Sequence, residues 1–240
     1  MMRFAGHTDK GRVRSSNQDS FYCDPEGYFF IVADGMGGHA AGATASELAV
    51  NAVQAKLRSA RAKLPAPQLL SLAVQEANQA ILIDQQLHPE HADMGTTIVV
   101  AHMDDDGQCW SAHIGDSRLY RLRGSEIAQM TEDHTLIARA VRQGDLTLAE
   151  SRLHPHRHIL ERCLGRPESG LPEVHTIDLK VGDRLLLCSD GLTEELNDSQ
   201  ISESCQKASV LEEIPYTLIR SANERGGRDN VTVVVTEYLG

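Results

Sequence analysis

The chain has 240 residues, 41% of them hydrophobic, which is enough to bury the core of one domain. Its 23 Lys and Arg against 34 Asp and Glu give a net charge of −11, which argues against nucleic acid or an anionic membrane surface as the main partner. The five cysteines are odd in number and widely spaced, which excludes a disulfide framework, and neither a membrane-spanning run nor a signal-peptide core is present, so a reduced, cytoplasmic protein is expected.

In chain order, short strand-like pieces come first, around residues 2–7, 20–24 and 28–33. A helix begins near Ala41 and carries Ala45, Leu48, Ala49, Ala52, Val53 and Leu57 at helical spacing. A second runs from about Pro67 to Leu87. Strands follow at Thr96–Met103, Cys109–Ile114 and Leu119–Arg123, and Asp104-Asp105-Asp106-Gly107 reads as a hairpin tip. Val174–Leu179, Arg184–Ser189 and Val231–Tyr238 are further strands, with two helices between Asp198 and about Ala222. Hairpin-joined strands with paired helices inserted between them predict an α+β fold: antiparallel sheets with helices packed outside, in layers.

The segment from His134 to Arg166 stands apart. It is rich in His, Arg and Gln and reads as short helices on a surface excursion. A lid or recognition element and a solvated decoration fit it equally well.

Aspartate closes or opens an apolar run four times. Phe29–Ala33 leads into Asp34-Gly35, His113–Gly115 into Asp116, and Leu185–Ser189 into Asp190-Gly191, while Asp229-Asn230 precedes Val231–Val235. Asp-Gly after a strand is also ordinary turn chemistry. Carboxylates on rigid strand ends can converge at little entropic cost, and oxygen ligands without clustered Cys suit Mg²⁺ or Mn²⁺.

Other patterns are weaker. Gly35, Gly37 and Ala40 nearly satisfy a dinucleotide fingerprint, but Asp34 would face the pyrophosphate and no acid lies about twenty residues on. Asp104–Gly107 lacks the distal Glu of a calcium loop. His154, His156 and His158 alternate as in a zinc clip, without closing a tetrahedral site. Arg14 carries the group best shaped to grip phosphate, yet a single Arg is most often a surface charge.

Taken together, these strings resemble the metal-dependent Ser/Thr protein phosphatases, the protein phosphatase 2C or PPM family. The matching motifs are Arg14–Asp19, Val32–Gly38, Gly95-Thr96-Thr97, His113–Arg118, Cys188–Leu192 and Gly227–Val231, all in the family's order. The chain is most similar to compact bacterial members, cyanobacterial ones included. The resemblance implies a four-layer α-β-β-α sandwich, a single domain over residues 1–240, and a flap over about 134–166.

It also implies a site. Asp34 would bridge two tightly bound Mg²⁺ or Mn²⁺ ions and the Gly35 carbonyl would bind one. Asp190 and Asp229 would bind the other, and Asp116 with Asp190 would hold a weaker third. Asp19 would orient metal-bound water, Asn230 would support Asp229, and Arg14 would bind the substrate phosphate. A metal-bridging hydroxide would then attack phosphoserine or phosphothreonine in line, with no phospho-enzyme. Many eukaryotic members carry a His, the proposed proton donor, where this chain has Met36. His39 is the first candidate for that role, a metal-bound water the second and His158 in the flap the third. The expected partners are Ser/Thr-phosphorylated proteins, with no nucleic acid and no membrane, and the expected state is a monomer. The alternatives are a phosphoprotein-binding pseudophosphatase and, from the glycine string alone, a nucleotide-binding oxidoreductase.

Overall fold

Strands such as Phe29–Val32 and Val231–Val235 are buried at every position, and apolar at all but Thr232, because both of their faces are covered. The computed structural model describes residues 2–38, 41–61 and 63–240, the side chains of Arg152 and Leu153 excepted. The elements are β1 (Met2–Asp9), β2 (Asp19–Cys23), β3 (Phe29–Met36), α1 (Ala41–Ala60), α2 (Ala66–Leu87), β4 (Gly95–Thr96), β5 (Ile98–Met103) and β6 (Cys109–Ile114). They continue with β7 (Arg118–Arg123), β8 (Glu126–Gln129), α3 (Leu136–Gln143), α4 (Leu148–Leu153), β9 (Glu173–Ile177), β10 (Arg184–Cys188), α5 (Asp190–Thr193), α6 (Asp198–Lys207), α7 (Ile214–Arg225) and β11 (Val231–Tyr238).

One sheet has the order β1-β11-β10-β7-β8 and the other β2-β3-β5-β6-β9, with β4 against β3. Every pairing is antiparallel. The period of two decides which core each residue joins. Phe30, Val32, Val99, Leu185, Leu187 and Val234 fill the space between the sheets. Phe29, Ile31 and Ala33 turn the other way, against Ala45, Val53 and Leu70 of α1 and α2. Leu186, Val233 and Val235 pack against Ile201, Leu218 and Ala222 of α6 and α7. These three cores make the expected four layers.

The expected strand Thr96–Met103 is split. Thr96 pairs with Leu164 as well as with Gly35, and the regular ladder to β6 begins only at Ile98. Strand β8 was not foreseen; it has four residues, and its end residues Glu126 and Gln129 are exposed. Helix α5 was not foreseen either. The segment 134–166 does contain two short helices. Thr135 Oγ1 caps α3 by accepting the Ala138 N–H, and Gly144 ends it with φ 83°. Thr147 and Glu150 form a capping box at the start of α4.

Candidate metal centre

Asp19 and Asp34 face each other in register across β2 and β3. Strand β3 runs through Asp34 to Met36, so this aspartate lies inside the strand and not at its end. Asp116 sits in the β6–β7 turn, Asp190 opens α5 directly after β10, and Asp229 stands two residues before β11. The two sheets therefore deliver all four aspartates to one end of the sandwich. A cleft of about 430 Å³ is lined there by Arg14, Asp34, Gly35, Asp116, Asp190 and Asp229. Among the described residues, no three of these aspartates offer oxygens within 4.8 Å of one another. They line a cleft and do not converge on one point.

The glycines after Asp34 and Asp190 are not turn residues. A Cβ on Gly35 would lie 2.0 Å from the Gly42 carbonyl oxygen, and one on Gly191 would lie 2.1 Å from that of Asn230. Backbone from another segment passes where a side chain would be, so only glycine fits. Close approach, not a left-handed turn, explains both Asp-Gly pairs.

The electrostatics are unfavourable to the protein by itself. Burial, and then neighbouring carboxylates, push Asp34 and Asp116 well above the usual carboxylate range and raise Asp190. Asp19 is pushed up to about 7, chiefly by burial, although Thr232 Oγ1 and Ser189 Oγ donate to its Oδ2 at 2.6 and 2.7 Å. Among the described residues, Asp19 Oδ1 and Asp190 Oδ1 are buried without a hydrogen-bond partner. Buried carboxylates crowded together with orphaned oxygens suit hard divalent cations, which would offset the charge and use the lone pairs.

Hydrogen bonds hold these carriers in place. Thr97 Oγ1 accepts the Asp34 N–H at 3.0 Å and lies 2.7 Å from Ser117 Oγ, so one hydroxyl pair joins the Asp34 and Asp116 segments. Asn230 Oδ1 accepts the Gln18 N–H, and its Nδ2 donates to the carbonyls of Lys10 and Ser16. It thereby ties the loop bearing Arg14 to the start of β11. Arg14 Nη2 lies 2.6 Å from Asp229 Oδ2.

His158 of the 134–166 segment reaches the cleft, where its Nδ1 contacts Glu194. His154 and His156 lie 5.5 Å apart between ring centroids, tilted by 52°, and belong to no metal-ligand cluster among the described residues, so the zinc clip does not form. Glu194 escaped the sequence reading. It is four residues beyond Asp190, on the same helical face, and that spacing was the available signal. Burial, and then Asp190, push it up to about 7, while burial and Arg157 lower His158. His39 lies outside the described residues.

A protein-family model described as "Protein phosphatase 2C" matches residues 6–228. The serine/threonine phosphatase stp of Listeria monocytogenes serotype 4b is 37% identical over 238 residues, covering 96% of this chain and 93% of that one. The serine/threonine protein phosphatase PstP of Mycobacterium tuberculosis is 38% identical over 239 residues, and the match spans 45% of its length. The chain belongs to the protein phosphatase 2C family.

Solved structures agree. The crystal structure of the M. tuberculosis phosphatase PstP/Ppp superposes with a TM-score of 0.92 at 37% identity, covering 100% of this chain and 99% of that one. The catalytic domain of PstP in complex with two manganese ions superposes at 0.87 with 36% identity, covering 100% and 99%. This protein phosphatase 2C chain is a metal-dependent serine/threonine protein phosphatase with the α+β sandwich of its relatives. The oxidoreductase reading of the Gly35 loop therefore falls, and nothing favours a pseudophosphatase. Among the described residues, no helix is long and apolar enough to cross a membrane.

Proposed function

We propose that the cleft between Arg14, Asp34, Asp116, Asp190 and Asp229 hydrolyses phosphoserine and phosphothreonine in protein substrates. The observation that carries this is the meeting of four aspartates from both sheets with one guanidinium. Asp34, the Gly35 carbonyl, Asp190 and Asp229 would hold two divalent cations, and Asp116 with Asp190 would hold a weaker third. When bound, Mg²⁺ or Mn²⁺ supplies a nucleophilic water near neutral pH and charge for the phosphoryl oxygens.

The protein's own groups do the rest. Arg14 grips the phosphate and aligns phosphorus for in-line attack without a phospho-enzyme. Asp19, fixed by Ser189 and Thr232 beside Asp34, would orient water at the metal site. Asn230 keeps Asp229 and the Arg14 loop in register. The aspartates remain ionised ligands and not general bases, because adjacent divalent charge favours that form. The leaving alkoxide needs a proton, and His39 and His158 are the side chains assigned to supply it.

The 134–166 segment acts as a flap. Its Ile137, Val141, Arg142 and Leu148 line a second cleft of about 850 Å³ that shares Asp116, His158 and Asp190 with the first. This continuity supports a path for the substrate chain beside the phosphate. The reading extends to one catalytic domain over 1–240 that acts as a cytoplasmic monomer on phosphoproteins.

The test is phosphate release from a phosphothreonine peptide with Mn²⁺ and with chelator. Asp190→Ala is expected to lower kcat/KM at least about 100-fold. Turnover that ignores Mn²⁺, or survives Asp190→Ala, refutes the assignment.

A further inference from the structure

The root of the flap is clamped onto the turn that carries Asp116. His134 donates its backbone N–H to the Gly115 carbonyl at 3.0 Å, and its ring Nδ1 accepts the Gly115 N–H, also at 3.0 Å. One residue thus holds both peptide groups of the glycine that precedes Asp116. Gly115 has φ +108° and no side chain with which to fix its own orientation, so that orientation has to be imposed from outside. Beyond the turn, Ser117 is held by Thr97.

The ring chemistry is determined at both nitrogens. A backbone N–H can only donate, so His134 Nδ1 carries a lone pair and Nε2 carries the hydrogen. That hydrogen points to Glu173 Oε1 at 3.0 Å; Arg162 Nη1, itself only a donor, lies 3.3 Å from Nε2 and 3.6 Å from the same carboxylate oxygen, and is turned to the carboxylate because Nδ1 already holds the ring's acceptor lone pair. The His134 ring stacks on His113 at 4.6 Å and 14°. Parallel rings direct their lone pairs into separate planes, so His113, His134 and Glu173 do not converge on a cation although their ligand atoms lie close. On the flap side, the His134 carbonyl accepts the Glu161 N–H at 2.8 Å and Thr135 pairs with Leu160. Both arms of the flap therefore start from His134.

A satisfied core histidine is the plain alternative. It explains burial, but not why the acceptor is aimed at the one peptide that orients a carboxylate of the cleft.

We propose that His134, held by Glu173, is a positioning residue that sets the orientation of Asp116 through the Gly115 peptide and couples the flap root to the weaker cation site. This rests on Asp116 being a ligand of that site. Residues that orient metal ligands typically change affinity about 10- to 100-fold when removed.

The experiment is calorimetric titration of the full chain with Mn²⁺, with far-UV circular dichroism as the control for folding. Asp116→Asn should abolish the weakest binding step. His134→Leu should weaken that step about 10-fold or more and leave the tighter steps unchanged. His134→Asn, whose Oδ1 can replace Nδ1 as acceptor, should stay within about threefold of the natural protein. In the Asp116→Asn background, His134→Leu should change nothing further. Glu173→Ala, at a partly exposed position, should weaken the same step by a smaller factor.

A weak step lost in Asp116→Asn but intact in both His134→Leu and Glu173→Ala overturns the positioning role alone. So does a uniform weakening of every step, or an Asn variant no better than Leu. A weak step that survives Asp116→Asn overturns the ligand assignment, and the proposal with it.

Discussion

Arg14 Nη2 lies 2.6 Å from Asp229 Oδ2, so the guanidinium assigned to phosphate rests against a carboxylate assigned to metal. The pair is half exposed on the Arg side, so water screens it and it contributes little to stability. Its importance is placement: the contact holds the Arg14 head at the cleft, where a phosphate oxygen can take the guanidinium donors that Asp229 does not use.

Arg14→Ala should lower kcat/KM for a phosphothreonine peptide about 10- to 100-fold, the range of a charge-assisted hydrogen bond of roughly 1.5–3 kcal/mol. Most of the loss should fall on KM. Arg14→Lys should recover only part of it, since an ammonium cannot reproduce the planar fork. Steady-state kinetics at saturating Mn²⁺ check both variants, and unchanged KM in Arg14→Ala would remove Arg14 from phosphate binding.

The stability of the metal-free protein should fall as pH rises. Asp19 titrates near 7 when folded and near 3.8 ordinarily, so folding favours its protonated form. Its stabilising contribution is complete below pH 3.8 and is lost as pH rises through about 7. Asp34 and Asp116 are raised in the same direction. Buried His102, His113 and His134 have lowered pKa values and act oppositely below their ordinary 6.5, so the clean window lies above it. In chelator, Tm should drop between about pH 6.5 and 8, and Asp19→Asn should flatten that drop. Mn²⁺ should raise Tm more at pH 8 than at pH 6.5. A chelated protein whose Tm rises across this window contradicts the account.

The proton donor can be separated by leaving group. His39→Ala should lower turnover of a phosphopeptide about 10- to 100-fold while barely changing that of p-nitrophenyl phosphate, whose leaving group needs little protonation. His158→Ala is measured beside it, because His158 reaches the cleft through its contact with Glu194. Equal losses on both substrates for either variant would exclude that histidine as the acid.

Much of this molecule was legible from local strings. Phe29–Ala33 and Val231–Val235 read as strands, and antiparallel sheets with helices packed outside in layers followed from their order. Asp34, Asp116, Asp190 and Asp229 were visible because each adjoins such a run. Strand β8 was hidden by its four-residue length and exposed ends, and α5 by its single turn. For Gly35 and Gly191 turn chemistry stayed open as one reading, because the carbonyls of Gly42 and Asn230 that exclude a side chain belong to other segments.

The sequence by itself determined the residue types, the order of the motifs and the alternation that makes a layered sandwich, because periodicity and hydrogen-bonding capacity are local properties. Only the tertiary structure decided which groups meet. Glu194 finds His158 across 36 positions of chain, His134 finds Gly115 across 19, and Asp19 is wedged between Ser189 and Thr232 from the opposite sheet. Those meetings depend on where packed sheets and the 134–166 segment bring distant backbone together, and no spacing along the chain encodes that distance.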